Sequence, residues 1–252
     1  MHRAASAITE PDGDARPPAY RRFRQAVARA QLAAWLPPGR RLLVDVSGPG
    51  AAAAELAAAA GHTVLRVLDG GRGAGPPAAP GTSPGRVIPV VADRWPLSFL
   101  RHGCADGVIA DDRTLSVHLA AEAMVAEIAR VLRPAGRVLA CVDSLVLGMA
   151  ALAGQRRWAH LVDLPHADVV LVPWPDGTIS RCYGPDQARE LFAGAGLAVE
   201  SVRPRTVLSE SVVTHLLRRD PAGMARLVRA ELAAAGDDSL GAQLVICARK
   251  PC

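Results

Sequence analysis

Short apolar runs that do not alternate with polar residues, each separated from the next by a turn or a helical stretch, constrain this chain more than any other feature. They are Leu42 to Val46, Thr63 to Leu68, Arg86 to Val91, Gly107 to Ala110, Arg137 to Val142, Leu197 to Val202 and Ala242 to Ala248. A strand that is apolar on both sides belongs in a sheet covered on both faces. The intervening stretches supply the cover. Ala51 to Ala60 is a run of strong helix formers closed by Gly61, Ser116 to Leu132 carries the stripe Ala121, Val125, Ile128 and Leu132, and Pro185 to Ala195 opens on Pro and closes at Gly196. This order predicts a doubly wound α/β fold, with a mostly parallel seven-stranded sheet and helices on both faces.

The chain has 252 residues, half of them hydrophobic, which suits one large domain with appendages. Residues 1–18 are polar and carry Pro11, Pro17 and Pro18, and read as a flexible arm. An N-terminal helix is expected over 19–38, with the helical period clearest from Tyr20 to Leu36 and a stop at Pro37, Pro38 and Gly39. Residues 39–252 form the main domain. A hairpin insertion near 163–183 is predicted from Val169 to Pro173 and Thr178 to Cys182, which flank Trp174-Pro175-Asp176-Gly177. Its exposed edge makes a homodimer an expectation.

The net charge is +5, and Lys250 is the only lysine. The bias towards Ala, Arg, Gly and Pro reads as a GC-rich bacterial genome. Arg16, Arg21, Arg22, Arg24 and Arg29 raise nucleic acid as a partner, but aromatic residues are scarce at 4% and acids are spread through the rest. A solvated helix face is the expected role of these arginines, and nucleic acid is not an expected partner. Cys104, Cys141, Cys182, Cys247 and Cys252 form no C-x-x-C pair. They are expected to be plain thiols of a reducing cytoplasm, with no metal site and no disulfide framework. No signal-peptide pattern opens the chain, and Asp143 and Ser144 interrupt the longest apolar run, so no membrane span is expected.

Three motifs bear on chemistry. The first is the strand, turn and helix from Val44 to Ala60, in which Asp45, Ser47, Gly48 and Gly50 surround a turn that lets a ligand approach the backbone. The second is Val91-Ala92-Asp93-Arg94-Trp95-Pro96-Leu97, where Asp93 is suited to accept from an amino group and Trp95 offers an aromatic face. The third, Glu127 to Leu139, joins an amphipathic helix to a buried strand through Arg133-Pro134-Ala135-Gly136.

In this order the motifs resemble the class I S-adenosylmethionine (SAM) dependent methyltransferases, a Rossmann-like family with the pattern D-V-G-C-G-x-G … R-V-L-R-P-G-G-R. Asp45 to Gly50 looks like the first glycine motif, Asp93 matches the acid that contacts adenine, and Arg130 to Leu139 matches the joint before the fifth strand. The likeness covers roughly residues 40–250. It implies SAM as cofactor, held by Asp45, Ser47, Gly48, Gly50, Asp69, Asp93, Arg94, Trp95 and Asp111, and a small-molecule methyl acceptor. Candidates for acid–base or substrate roles are Asp111, Asp112, His118, His160, His166 and Tyr183, of which His118 and Asp112 are placed at the catalytic position.

Three departures from the family pattern fall in the cofactor half. Ser47-Gly48-Pro49-Gly50 is one residue short. Leu68 stands where the family has its ribose-binding acid, with Asp69 one residue late, and a slip of one turns a strand side chain to the other face. Gly70 to Gly85 replaces the expected helix. Two readings therefore stand side by side: a SAM-dependent methyltransferase acting on a small molecule, and a protein of that fold that has lost methyl transfer and serves as a binding or partner subunit.

Overall fold

The structure, a computed structural model, describes residues 17–48, 52–69, 84–92, 95–164, 167, 169–236 and 240–252. The elements run α1 Pro18–Trp35, β1 Leu42–Asp45, α2 Ala53–Ala59, β2 Thr63–Leu68, β3 Arg86–Val91, β4 Ala105–Ala110, α3 Ala121–Val131 and β5 Leu132–Ser144. They continue with α4 Leu145–Gly154, α5 Trp158–Asp163, β6 Val170–Pro173, β7 Ile179–Tyr183, α6 Pro185–Gly194, β8 Ala198–Arg205, α7 Glu210–Arg219, α8 Met224–Ala233 and β9 Gln243–Arg249.

Strands β3, β2, β1, β4 and β5 lie side by side in parallel, with β9 antiparallel on the far edge of β5 and β8 antiparallel to β9. This is the expected seven-stranded arrangement, and β6 and β7 bring the sheet to nine strands. Helices α1 and α2 cover one face through Leu32, Trp35, Ala54 and Ala57, which meet Leu43, Ile109 and Leu139. Helices α3 and α6 cover the other through Val125, Ile128, Ala188 and Phe192, which share one continuous core with Val44, Val108, Val138, Ala140 and Val142 of the strands.

The strand and helix order follows the sequence closely, with one instructive shift. The long helix expected from Ser116 begins only at Ala121. Ser116 is committed elsewhere: its hydroxyl accepts from the Asp143 N–H at 2.7 Å and its carbonyl accepts from the Arg181 N–H at 2.7 Å. A residue tied to β5 and β7 in this way cannot also open a helix, so His118 precedes α3 rather than sitting in its first turn. The N-terminal helix starts at Pro18, where a missing N–H costs nothing. Residues 1–16 of the expected arm, and 70–83 of the Gly/Pro-rich stretch, lie outside the described residues.

The hairpin is placed by an overhang. Strand β5 pairs with β4 only as far as Ala140, but continues to Ser144. Its outer edge is taken by β9 up to Asp143, so the pairing of Asp143 with Cys182 and Ser144 with Tyr183 uses the β4 side. The β6–β7 hairpin therefore extends the sheet past the end of β4. With α4 and α5 it closes a small core of its own around Leu152, Leu164, Val172 and Trp174.

Candidate functional site

Strands β1, β4, β5 and β8 run the same way and end at one edge of the sheet, and in open α/β sheets ligands bind in the crevice outside such ends. Asp45 ends β1 and is buried. One of its carboxylate oxygens accepts from the Ser47 N–H at 3.0 Å. The Ser47 hydroxyl in turn accepts from the Asp111 N–H at 2.9 Å, and the Thr114 hydroxyl donates to the Asp111 carbonyl at 2.9 Å. Burial pushes the Asp45 carboxyl above the usual carboxylate range, and the Ser47 hydrogen bonds and the Arg66 charge only partly offset it.

A second knot crosses the edge beside it. Arg205, the last residue of β8, donates to Asp111 at 2.6 Å and to the Gln31 side chain of α1 at 2.6 Å. Both charged partners are buried. Burial works against the Arg205 charge, but the combined pull of Asp111, Cys141 and Asp112 around it outweighs that and holds the guanidinium protonated beyond its ordinary range. Arg113 donates through Nε to both Asp143 oxygens at 3.0 Å and lies 5.1 Å from the centre of the Trp174 ring in the hairpin. Asp111 and Asp143 thus each meet an arginine, as burial of charge requires.

Of the residues singled out in the sequence, Asp45, Ser47, Gly48, Asp111 and Asp112 come together at this edge. Gly48 matters for its missing side chain: a Cβ there would stand 2.7 Å from a carboxylate oxygen of Asp112. Trp95 and His118 form a second group, with ring centres 6.5 Å apart and an edge-on angle of 68°. Trp95 Nε1 and His118 Nδ1 are buried atoms without a hydrogen-bond partner among the described residues. Asp69 follows Leu68 directly, and the β2–β3 register runs unbroken from Thr63 to Leu68, so no bulge in β2 moves Asp69 into the place of Leu68. His160 is exposed on α5. Tyr183 is buried with its hydroxyl unpartnered among the described residues, and burial pushes its phenol up to about 12. Gly50, Asp93, Arg94 and His166 lie outside the described residues.

Arg205, Arg113 and Gln31 do not stand out in the sequence, and Asp143 does so only as an interruption of an apolar run. For Asp143 a signal existed: an acid inside the run from Val138 to Leu152 must have a basic partner once that run is buried. For Arg205 there was none, because its partner lies 94 residues away in sequence.

No family model matches the sequence, and neither does any curated protein. Solved structures do match. A SAM-dependent methyltransferase from Methanosarcina mazei aligns with a TM-score of 0.56 at 15% identity, over 88% of this chain and 97% of that one. The fold is that of the class I SAM-dependent methyltransferases. The 1,6-didemethyltoxoflavin-N1-methyltransferase of Burkholderia thailandensis, solved with 1,6-didemethyltoxoflavin and S-adenosylhomocysteine bound, aligns at 0.51 and 17% identity, over 93% of this chain and 79% of that one. The [4+2]-cyclase SpnF aligns at 0.54 and 19% identity, over 97% of this chain and 86% of that one. One architecture thus carries more than one chemistry, and the likeness establishes the fold alone.

Proposed function

We propose that this protein is a SAM-dependent methyltransferase acting on a small molecule, with its site at the carboxyl ends of β1 and β4. The observation that carries this reading is the Asp112 carboxylate set against the side-chain-free backbone of Gly48 at that edge. SAM bears an ammonium and a sulfonium, and carboxylates at such an edge suit both charges. The buried, unpartnered ring nitrogens of Trp95 and His118 fit a polar ligand as well.

When bound, SAM would supply an electrophilic methyl group. Gly48 and Asp112 would hold its amino-acid end, with Asp45, Ser47 and Asp111 fixing the turn. Asp69, Asp93, Arg94, Trp95 and Gly50 would hold the adenosyl end and the glycine turn. His118 would accept a proton from the hydroxyl or amine of the acceptor, through its unpartnered Nδ1. The outer edge of β6, where Leu171 is exposed, is the surface on which a second copy would pair.

Thermal unfolding with increasing SAM tests the reading. A ligand at a hundred times its dissociation constant stabilises by about 2.7 kcal/mol, so the melting temperature should climb with SAM and with S-adenosylhomocysteine. An unchanged melting temperature at millimolar SAM would overturn it and leave a scaffold without methyl transfer. Replacing Asp112 by Ala should weaken SAM binding. His118→Ala should lower turnover with little effect on SAM binding, once an acceptor is found by screening small hydroxyl and amino compounds.

A further inference from the structure

Helix α1 carries Arg21, Arg22, Arg24 and Arg29 and no acid. Its first turn has neither an acidic residue nor a side-chain cap, and Arg21 and Arg22 follow almost at once. Positive charge near a helix N-terminus adds to the positive end of the helix dipole instead of offsetting it. Alone this would be a local oddity. It coincides, however, with a cleft.

Between α1, α7 and the turn before α8 lies an open cleft of about 500 Å³, lined by Ala19, Arg22, Thr214, Leu217, Arg218, Pro221 and Met224. A second hollow of about 380 Å³, lined by Pro18, Arg21, Arg22 and Gln25, shares Arg22 with it. Arg22 and Arg218 make no ion pair or side-chain hydrogen bond with any described residue, whereas Arg226 nearby in sequence is paired with Asp220. Thr214 also lines the cleft, and its hydroxyl oxygen is buried and has no hydrogen-bond partner among the described residues. A buried hydroxyl without a partner costs stability, and native folds seldom keep one without a use.

We propose that this cleft binds the phosphoryl group of a small organic phosphate. Arg22 and Arg218 supply forked, permanently charged donors that match phosphate oxygens, and Thr214 supplies a hydroxyl to a third oxygen. Leu217, Met224 and Ala19 form an apolar floor for the organic part. The volume is within the range of a small-molecule site. None of the residues lining the cleft is among those placed at the sheet edge, and the proposal does not depend on SAM binding there.

Calorimetric titration of the full chain with phenyl phosphate and with inorganic pyrophosphate tests this. Saturable binding is expected, and it should weaken as salt rises. The double variant Arg22→Gln with Arg218→Gln should lose affinity by about tenfold or more, each charge-assisted contact being worth a substantial part of that. Thr214→Val should also weaken binding while leaving the melting temperature equal or higher, because it removes a hydroxyl that has no partner. Loss of binding together with a lower melting temperature in Thr214→Val would make that residue structural and overturn its role. No binding of either phosphate at millimolar concentration, or unchanged affinity in the double variant, would overturn the site. So would tighter binding of a single-stranded oligonucleotide than of phenyl phosphate, because the ligand would then be a nucleic-acid backbone. The SAM-dependent thermal shift, measured on the same variants, keeps the outcome separate from that of the methyltransferase reading.

Discussion

The Asp111–Arg205 pair shows what a single buried charge demands. Removing one partner leaves the other uncompensated in a medium that solvates it poorly, at a cost of about 3–5 kcal/mol. Asp111→Ala should therefore destabilise strongly in denaturant unfolding, while Asp111→Asn combined with Arg205→Met should recover most of the loss. Asp45 makes a different prediction, because its carboxyl is pushed up in the folded protein. Between the unfolded value near 3.8 and the higher folded value, the native state binds more protons than the unfolded state. Stability conferred by the protonated form is therefore present at low pH and is lost as pH rises through that window. Asp45→Asn keeps an oxygen for the Ser47 N–H, so it should remove this fall and be at least as stable as the wild type at neutral pH. Guanidinium unfolding of both proteins across acidic to neutral pH checks it. Asp45 and Asp111 were legible as residues of the sheet edge because they stand at the ends of strands. Arg205 was not, because nothing near it in sequence announces the acid it must meet.

At the level of elements, the hairpin illustrates how far local signals reach. Trp174-Pro175-Asp176-Gly177 foretold the turn, and the two strands fall within a residue of the expected limits. Its position past the end of β4 was not foretold, since it depends on how far β5 overhangs its neighbour. One tie holding it there is Arg113, which joins Asp143 of β5 and Trp174 of the hairpin. Arg113→Met should leave the fully buried Asp143 carboxylate without its arginine, destabilise the protein by about 3 kcal/mol or more, and speed amide exchange in β6 and β7 ahead of the rest. Added Asp143→Asn should restore much of the loss. If exchange in the hairpin is no faster in Arg113→Met, the tie is not what holds it. The start of α3 was misplaced for a related reason: apolar period marks which residues can be helical, but Ser116 is claimed by hydrogen bonds to β5 and β7 that only the assembled sheet provides.

Across the molecule, burial should sort the cysteines. Cys252 is exposed, whereas Cys141 and Cys182 are buried and burial pushes both thiols up. In the native protein an aromatic disulfide reagent should react first with Cys252, and with Cys141 and Cys182 only as the fold opens. Fast modification of either buried thiol in the native state would contradict this core. No helix among the described residues is long and apolar enough to cross a membrane, in line with the charge that interrupts the longest apolar run. The order of strands and helices and the two-sided cover of the sheet are written into the chain itself, because they follow from the spacing of apolar residues and from where turns interrupt it. Three-dimensional packing, in contrast, selected which acids meet which arginines, how the hairpin overhangs β4, and where α1 and α7 leave a cleft. Those depend on register and on contacts between distant segments, and a one-dimensional pattern does not carry that information.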